Sequence, residues 1–353
     1  MTTFDKLAGL PLVIERYALE GLEQDVSSGF LRKSTVIQLA GAGETGLGED
    51  VSYDAPDHEI AQAAGANLPL AGEWTLASFC DHIEALDLFP EPPVREVSRA
   101  YRVWAYESAA LDLALCQAGT TLHERLGITP RPVRFVCSLR LSDPGEAPST
   151  GPLRARLEHY PTLQFKLDPT PDWSDALIAE LQATGAVESV DFKGLYEGTV
   201  VDNPADPVFY AKIAEAFPDA WIEDPKLTPE TDAALEPHRN RITWDANMHS
   251  VADIDALPFP PKVVNVKPSR FGPLRELFRV YDTCAERGIG MYGGGQFELG
   301  CGRGQIQYMA SLFHPDGPND VAPSAYNATS PPAGLPASPL PVAVSPAGFR
   351  WSS

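Results

Sequence analysis

Five short apolar runs in the middle of the chain each end in a charged residue. They are LQFKLD with Lys166, VESVDFKG with Asp191, WIEDP with Glu223, RITWDAN with Asp245 and KVVNVKPS with Lys267. Successive charged residues are 25, 32, 22 and 22 positions apart. A strand, a returning helix and two turns need about that many residues. The pattern predicts five consecutive βα units in which each charged residue marks the C-terminal end of a strand.

Further strands on either side of these units extend the prediction to a barrel. Residues 134–141 have the pattern of a first barrel strand, residues 288–292 that of a seventh and residues 320–326 that of a last. We therefore predict an α/β fold, a (β/α)7β TIM-like barrel over residues 131–327. The C-terminal strand ends of such a barrel converge on one pocket, so the five charged side chains should meet there.

The first third of the chain predicts a smaller α+β domain over residues 1–130. Segments rich in branched residues come first and helical periodicity follows. The predicted strands cover residues 11–20, 34–40 and 46–53, and the predicted helices cover residues 57–66, 76–87 and 96–118. At the other end, residues 328–353 are rich in Pro, Ala and Ser and hold few large apolar residues. This tail should lie over an existing surface because it cannot form its own core.

Two segments allow two interpretations each. Residues 21–33 are polar and contain Ser27, Ser28 and Gly29, which is typical of a mobile surface loop or of a lid with small hinge residues. Residues 293–304 carry six glycines ahead of a helical pattern. They form either an anion site, with a substrate carboxylate as the expected anion, or only a tight barrel turn.

Composition narrows the class of partner. The 353 residues carry a formal net charge of −21, which argues against nucleic acid and against an anionic membrane surface. The five cysteines form no CxxC pair, and this favours a reducing, cytoplasmic location over a disulfide framework or structural zinc. The sequence shows no signal-peptide pattern and no apolar run long enough to span a membrane.

The three strand-end acids predict a metal site. Any one of Asp191, Glu223 and Asp245 could be a helix N-cap or a turn residue. Together, however, three carboxylates within a few ångströms would repel one another unless a cation lies between them. Carboxylate oxygens without His or Cys suit a hard, octahedral cation, so we expect one Mg²⁺.

Two lysines flank the acids in chain order. Lys166 and Lys267 could form structural ion pairs, but a nearby cation and partial burial would lower their pKa values toward working pH. Lysines on opposite faces of a substrate can then remove and return a proton beside a carboxylate, with the metal stabilising the enediolate.

The ordered set, Lys166 in QFKLD, Asp191 in VDFKG, Glu223 in IEDP, Asp245 in WDAN and Lys267 in NVKPS, resembles the enolase superfamily. Lysines on both the second and sixth strands are similar to the muconate-lactonizing-enzyme subgroup, which includes muconate cycloisomerases, o-succinylbenzoate synthases, N-acylamino acid racemases and dipeptide epimerases. The resemblance implies Mg²⁺ ligation by the three acids and acid–base catalysis by the two lysines. It also implies a small carboxylate substrate and a lyase or isomerase reaction of synthase, cycloisomerase or racemase type.

The resemblance also assigns parts of the chain. Residues 1–130 become a capping domain, residues 21–33 its specificity lid, and residues 328–353 a tail that returns to that domain. The chain departs from the family pattern at Gln164, where a second lysine is usual, and at Lys193, where an asparagine is usual. With Glu298, which follows the seventh strand, these two are candidate substrate contacts.

Two other functions are consistent with parts of the pattern. A Schiff-base aldolase would need only one of the lysines, and borohydride trapping would reveal it. A catalytically inactive barrel with a binding role is suggested by Gln164 and Lys193. In every case a homo-oligomer is expected, because symmetric assembly is common among such enzymes.

Overall fold

The N-terminal region contains two antiparallel sheets and a long helix. The computed structural model of the chain describes residues 1–26, 30–142, 146–196, 198–199, 201–328 and 330–352. The elements are α1 (Asp5–Ala8), β1 (Pro11–Ile14), β2 (Arg16–Asp25), β3 (Leu31–Gly41), β4 (Glu44–Asp50), α2 (Ala55–Ala64), β5 (Gly72–Thr75), α3 (Leu76–Ala85), α4 (Ser98–Gln117) and α5 (Leu122–Leu126). Strands β2, β3 and β4 form one sheet, and β1 pairs with β5 in the other. The predicted strand over residues 11–20 is thus two strands in different sheets.

Small residues bring α4 close to the three-stranded sheet. A Cβ placed on Gly46 would clash with the carbonyl oxygen of Ala109, and one on Gly48 would clash with that of Ala105. The alanine-rich face of α4 therefore packs against the backbone of β4, as the alanine run in the sequence indicates.

Much of the polar segment at residues 21–33 is strand. Residues 21–25 belong to β2 and pair with residues 31–35 of β3, so the prediction of a loop across the whole segment was wrong. In this pair the side chains of Glu23, Gln24 and Asp25 in β2 are exposed, whereas that of Arg32 in β3 is buried, so the segment lacks the regular apolar alternation that would mark a strand. Ser27, Ser28 and Gly29 at the tip lie outside the described residues.

The rest of the chain forms the predicted barrel. Its elements are β6 (Cys137–Leu139), α6 (Gly151–His159), β7 (Phe165–Leu167), α7 (Asp175–Thr184), β8 (Val187–Asp191), α8 (Pro207–Ala216), β9 (Trp221–Glu223), α9 (Pro229–Leu235), a 3-10 helix (Glu236–Arg241), β10 (Ile242–Thr243), α10 (Val251–Asp255), β11 (Val263–Val266), α11 (Pro268–Phe271), α12 (Leu274–Arg287), β12 (Gly290–Gly293), α13 (Cys301–Phe313) and a 3-10 helix (Ser324–Asn327). Strands β6 to β10 are parallel neighbours in chain order, and β11 pairs in parallel with β12.

Single backbone contacts complete the circle of strands. The Asn265 N–H donates to the Trp244 carbonyl oxygen at 3.0 Å and joins β11 to the end of β10. Parallel bridges of Phe135 with Asn319 and of Gly294 with Asp320 close the barrel. The last strand is therefore shorter than predicted: residues 324–326, predicted to be its end, belong to the 3-10 helix Ser324–Asn327 that follows Pro323.

Polar caps set where the barrel helices begin. The Asp206 side chain accepts from the N–H groups of Val208 and Phe209 at the start of α8, and the Ser174 hydroxyl accepts from the Leu177 N–H in α7. Such caps satisfy N–H groups that have no partner inside the helix. They fix each helix directly after the loop that leaves the carboxyl end of a strand.

The C-terminal tail runs back to the N-terminal region. Leu340 pairs with Val133, the Phe349 N–H donates to Asp112 of α4 at 2.7 Å, and Arg350 lies 3.0 Å from the same carboxylate. Phe349 also packs edge-on against Trp104 of α4. The tail thus lies over an existing surface, as its composition predicts.

A buried carboxyl group on α4 makes stability depend on pH. Glu107 is fully buried, accepts the Leu274 N–H at 2.6 Å, and has a pKa that burial raises to about 8. Between about pH 5 and 8 the folded state keeps a proton that the unfolded state releases, so stability falls as pH rises through this window, by at most about 1.4 kcal/mol per pH unit. Glu107→Gln should flatten the slope. Urea unfolding at pH 6, 7 and 8 in saturating Mg²⁺ measures it, and equal slopes for variant and wild type would contradict this prediction.

Candidate active site

The structure brings the five charged residues together at the carboxyl ends of the barrel strands. Lys166 lies in β7, Asp191 and Glu223 end β8 and β9, and Asp245 and Lys267 follow β10 and β11. All five are at least 93% buried, although charged side chains normally remain in water unless paired. A core position for five ionic side chains is therefore a feature that needs a chemical explanation.

Two groups of ion pairs connect these side chains. The Lys166 ammonium donates to Glu223 and lies 3.1 Å from Asp191 Oδ2. The Lys267 ammonium donates to Asp245 Oδ2 at 2.7 Å. Each lysine therefore has its own acid partners: Asp191 and Glu223 for Lys166, and Asp245 for Lys267.

The acids include one that sequence reasoning missed. Ligand oxygens of Asp191, Glu223 and Asp224 all lie within 4.8 Å of one another among the described residues. Side chains alternate along a strand, so Asp224 should point away from the pocket that holds Glu223. Its φ of +48°, however, breaks the strand and returns the side chain to the pocket.

Asp224 also holds the neighbouring turn. Its Oδ1 accepts the Asp245 N–H at 2.7 Å, and its Oδ2 accepts the Ala246 N–H at 2.9 Å. Both carboxylate oxygens thus bind the backbone that carries Asp245. This places Asp245 beside the cluster and leaves its own carboxylate for side-chain partners.

Asp245 has a second cationic partner, Arg270 of α11. Arg270 Nη1 lies 2.6 Å from Asp245 Oδ1, and the Tyr196 hydroxyl donates to Asp245 Oδ2 at 3.3 Å. Arg270 follows Lys267 by three residues, which is one helical turn, so the helical spacing was an available signal.

The charges in the pocket shift the pKa values of the acids in opposite directions. Burial would raise the pKa of Asp191, but the ammonium groups of Lys166 and Lys193 outweigh it and lower the pKa. The pKa of Asp245 is lowered in the same way by Arg270 and Lys267. Burial, with the negative charges of its neighbours, raises the pKa of Glu223 to about 8.

Asp224 behaves like Glu223. Burial first, and then the charges of Asp245 and Asp191, raise its pKa to about 7. Burial and mutual repulsion thus disfavour the charged forms of Glu223 and Asp224, and a cation between the carboxylates would relieve this. Closely spaced, buried oxygen donors with this property fit a hard divalent cation.

The two lysines are in different electrostatic states. Burial lowers the pKa of Lys267, and repulsion from Arg270 adds to this effect, although Asp245 opposes it. Burial also disfavours the ammonium form of Lys166, but the charges of Asp191, Glu223 and Asp245 outweigh burial and raise its pKa well above its usual range. Lys267 is thus the more easily deprotonated of the two.

The glycine-rich turn gives space to the site, and the N–H groups at its end bind a carboxylate of the protein itself. A Cβ on Gly294 would lie 2.6 Å from Lys267 Cε, so a larger residue there would displace the end of the lysine side chain. At the start of α13, the N–H groups of Leu299, Gly300 and Gly302 donate to Glu49 of β4. Of the two interpretations of residues 293–304, one placed an external anion at these N–H groups. In the structure the Glu49 carboxylate is bound there instead.

The N-terminal hairpin contacts the turn after β12. Arg32 donates to the carbonyl oxygens of Gln296 at 3.0 Å and Phe297 at 3.3 Å. The Phe30 ring, beside the hairpin tip, packs edge-on against that of Phe297. Of the two interpretations of residues 21–33, this contact with the barrel mouth favours the lid.

Of the remaining candidate residues, Lys193 contacts an acid of the cluster, whereas the contacts of Gln164 and Glu298 are with neighbouring backbone and side chains. Lys193 has a φ of +54°, donates to Asp191 and lies 3.7 Å from Asp168 Oδ1. Gln164 is half-buried, and its carbonyl oxygen accepts the Cys137 N–H at 2.9 Å. Glu298 accepts the Gln296 N–H at 2.6 Å and lies 3.1 Å from Arg303, so its carboxylate supports the turn after β12.

Comparison with known families agrees with this geometry. Residues 129–328 match the C-terminal domain, and residues 5–125 the N-terminal domain, of a family described as a domain of unknown function, DUF8230. The chain belongs to the DUF8230 family.

Named relatives extend the comparison of this DUF8230 protein. It is 27% identical to an o-succinylbenzoate synthase of Geobacillus stearothermophilus, over 80% of this chain and 75% of the relative. It is 24% identical to an N-succinylamino acid racemase of Thermus thermophilus, over 84% of this chain and 81% of the relative. A solved enolase-superfamily member from Listeria innocua shares the fold, with a TM-score of 0.64 and 17% identity, over 89% of this chain and 86% of that structure.

The DUF8230 chain is therefore an enolase-superfamily enzyme of the muconate-lactonizing-enzyme-like subgroup, as its strand-end residues predicted. The reaction class is that of a lyase or isomerase. Every helix in the described part of the chain is too short or too polar to cross a membrane.

Proposed function

We propose that this DUF8230 enzyme is a Mg²⁺-dependent lyase or isomerase that removes the proton next to a substrate carboxylate. One observation carries the proposal: two buried lysines approach one carboxylate cluster from separate strands, Lys166 through Asp191 and Glu223, and Lys267 through Asp245. Two lysines on separate strands, each bound to different acids of the cluster, are the arrangement that an acid–base pair around a shared substrate would need. The synthase and racemase names of its relatives support a substrate of the carboxylate class.

Asp191, Glu223 and Asp245 would hold one Mg²⁺ per active site, with Asp224 orienting Asp245 through two backbone N–H groups. When bound, this cation would stabilise the negative charge of the enediolate that forms as the proton leaves. The donor set contains only carboxylate oxygens, which favours Mg²⁺ over softer metals.

Lys267 and Lys166 would be the acid–base pair. Lys267, with its lowered pKa, is the better candidate for the base that accepts the α-proton. Lys166, held as an ammonium by the acids, would donate a proton on the opposite face or to a leaving group. Racemisation would use both lysines in both directions, whereas elimination or cycloisomerisation needs one transfer.

Lys193 is proposed to contact the substrate. Its ammonium lies at the rim of the cluster with 15% of the side chain exposed, against 3% for Lys166. A substrate carboxylate could therefore reach Lys193 without displacing a buried group. Gln164 is proposed to line the same pocket as Lys166, since residues two apart share a face of a strand. Glu298 is proposed to position the turn beside Lys267.

The domains divide the work in this proposal. Residues 131–327 would carry the chemistry, the capping domain over residues 1–130 would close the mouth, and the tail over residues 328–353 would fasten the two together. The net charge of −21 makes nucleic acid and anionic membranes poor partners, and a homo-oligomer remains expected. Five unpaired cysteines are consistent with a cytoplasmic location.

Proton exchange tests the proposal. The protein is incubated in D₂O with Mg²⁺ and pooled N-acylamino acids, succinylbenzoate precursors and muconates, and α-deuteration is measured by mass spectrometry. We expect exchange that EDTA abolishes, and Lys193→Asn should raise KM more than it lowers kcat. Exchange that persists in EDTA, or absence of both exchange and Mg²⁺ binding, would overturn the proposed function.

A further inference from the structure

The barrel interior contains a tyrosine directed at the acid cluster. Tyr292 lies in β12 and is 98% buried. Its hydroxyl donates to Glu223 Oε2 at 2.5 Å. Since β9 and β12 are separated by β10 and β11 around the barrel, this bond crosses the interior.

Each oxygen of Glu223 thus has its own partner. Oε1 accepts from the Lys166 ammonium, which also lies 3.1 Å from Asp191 Oδ2, and Oε2 accepts from Tyr292 of β12. Thr243 pairs with Glu223 on the neighbouring strand, and its hydroxyl donates to the Tyr292 oxygen at 3.4 Å. These contacts orient the phenol and define which carboxylate oxygen turns toward Asp191.

We propose that Tyr292 is a positioning residue that holds Glu223 so that one oxygen is presented to the divalent cation; this inference rests on the proposed function. Because Tyr292 holds Oε2, Oε1 is the oxygen that can turn to a cation, in exchange for its contact with the Lys166 ammonium. One-oxygen binding by Glu223 leaves more coordination positions for a substrate carboxylate than two-oxygen binding would. Outer-sphere partners of this kind typically change metal affinity by about 10- to 100-fold.

Tyr292→Phe tests the role because it removes the hydroxyl and keeps the ring that fills the barrel. Mn²⁺, a paramagnetic substitute for Mg²⁺, is titrated into the full-length protein without substrate, and free Mn²⁺ is measured by electron paramagnetic resonance. We expect the Kd for Mn²⁺ to rise about 10-fold or more. Tyr281→Phe is the matched control, since Tyr281 is equally buried and its hydroxyl has no hydrogen-bond partner within the described residues. Its Kd should stay within about twofold of wild type.

The outcomes separate the two proposals. Equal Mn²⁺ affinity for Tyr292→Phe and wild type would overturn the positioning role and leave the metal site intact. Failure of the wild type to bind Mn²⁺ would overturn both. Melting temperatures in EDTA show whether each variant folds. If Tyr292→Phe does not fold, Thr243→Val takes its place: it removes only the donor to the phenol, and a Kd unchanged from wild type would then overturn the inference.

Discussion

Lys267→Ala is expected to lower kcat/KM by roughly 10³-fold, within the range that general acid–base groups contribute. The lysine is buried, its pKa is lowered by burial and by Arg270, and Gly294 leaves room for its stem. Alanine cannot accept a proton, so the variant loses the base proposed for this position. Steady-state turnover of whichever substrate shows α-deuteration measures the effect.

A matched control and a second variant make this result specific. Lys262→Ala removes an exposed lysine just before the same strand and should change kcat/KM by less than twofold. Lys166→Ala should also abolish turnover. Because it removes an ammonium group that competes with the metal for Asp191 and Glu223, this variant should bind Mn²⁺ more tightly than wild type. Lys267→Ala with more than a tenth of wild-type turnover would rule out a catalytic role for this residue.

Asp245→Asn is expected to weaken Mg²⁺ binding by more than about 100-fold. Loss of a ligand should exceed the 10- to 100-fold effect that is typical of outer-sphere partners. Asp224→Asn should fall inside that smaller range, because an amide can accept only one of the two backbone N–H groups that Asp224 now binds. Isothermal titration calorimetry gives both affinities.

The comparison decides which acid completes the metal site. Asp255→Asn, a half-exposed acid paired with Arg287, is the control and should bind Mg²⁺ like wild type. Wild-type affinity for Asp245→Asn together with lost binding for Asp224→Asn would assign the third ligand to Asp224, which lies with Asp191 and Glu223 within 4.8 Å. Melting temperatures in EDTA show whether each variant is folded.

The outline of the barrel and its five charged positions followed from the sequence. Buried parallel strands are continuous apolar runs, and a polar residue at the end of each run is conspicuous against them. Because the repeat length of a βα unit is narrow, the spacing of Lys166, Asp191, Glu223, Asp245 and Lys267 was enough to place them at one edge.

Contacts between distant segments could not be obtained in this way. Arg270 reaches Asp245 from α11 and Tyr196 reaches it from the segment after β8, and Glu49 reaches α13 from another region of the chain. Asp224 enters the site only because its backbone takes a left-handed conformation that strand alternation does not include. Likewise, polar residues 21–25 became strand through pairing with residues 31–35, which local sequence does not encode.

The sequence by itself therefore determined the order of the strands and the residues at the strand ends, because these depend on local periodicity and spacing, and its strand-end motifs carried the resemblance to the superfamily. Only the tertiary structure decided which of those residues touch, which lysine has the lowered pKa, and which hydroxyl meets Glu223. These properties depend on distances of a few ångströms across the barrel, where burial and neighbouring charges act together.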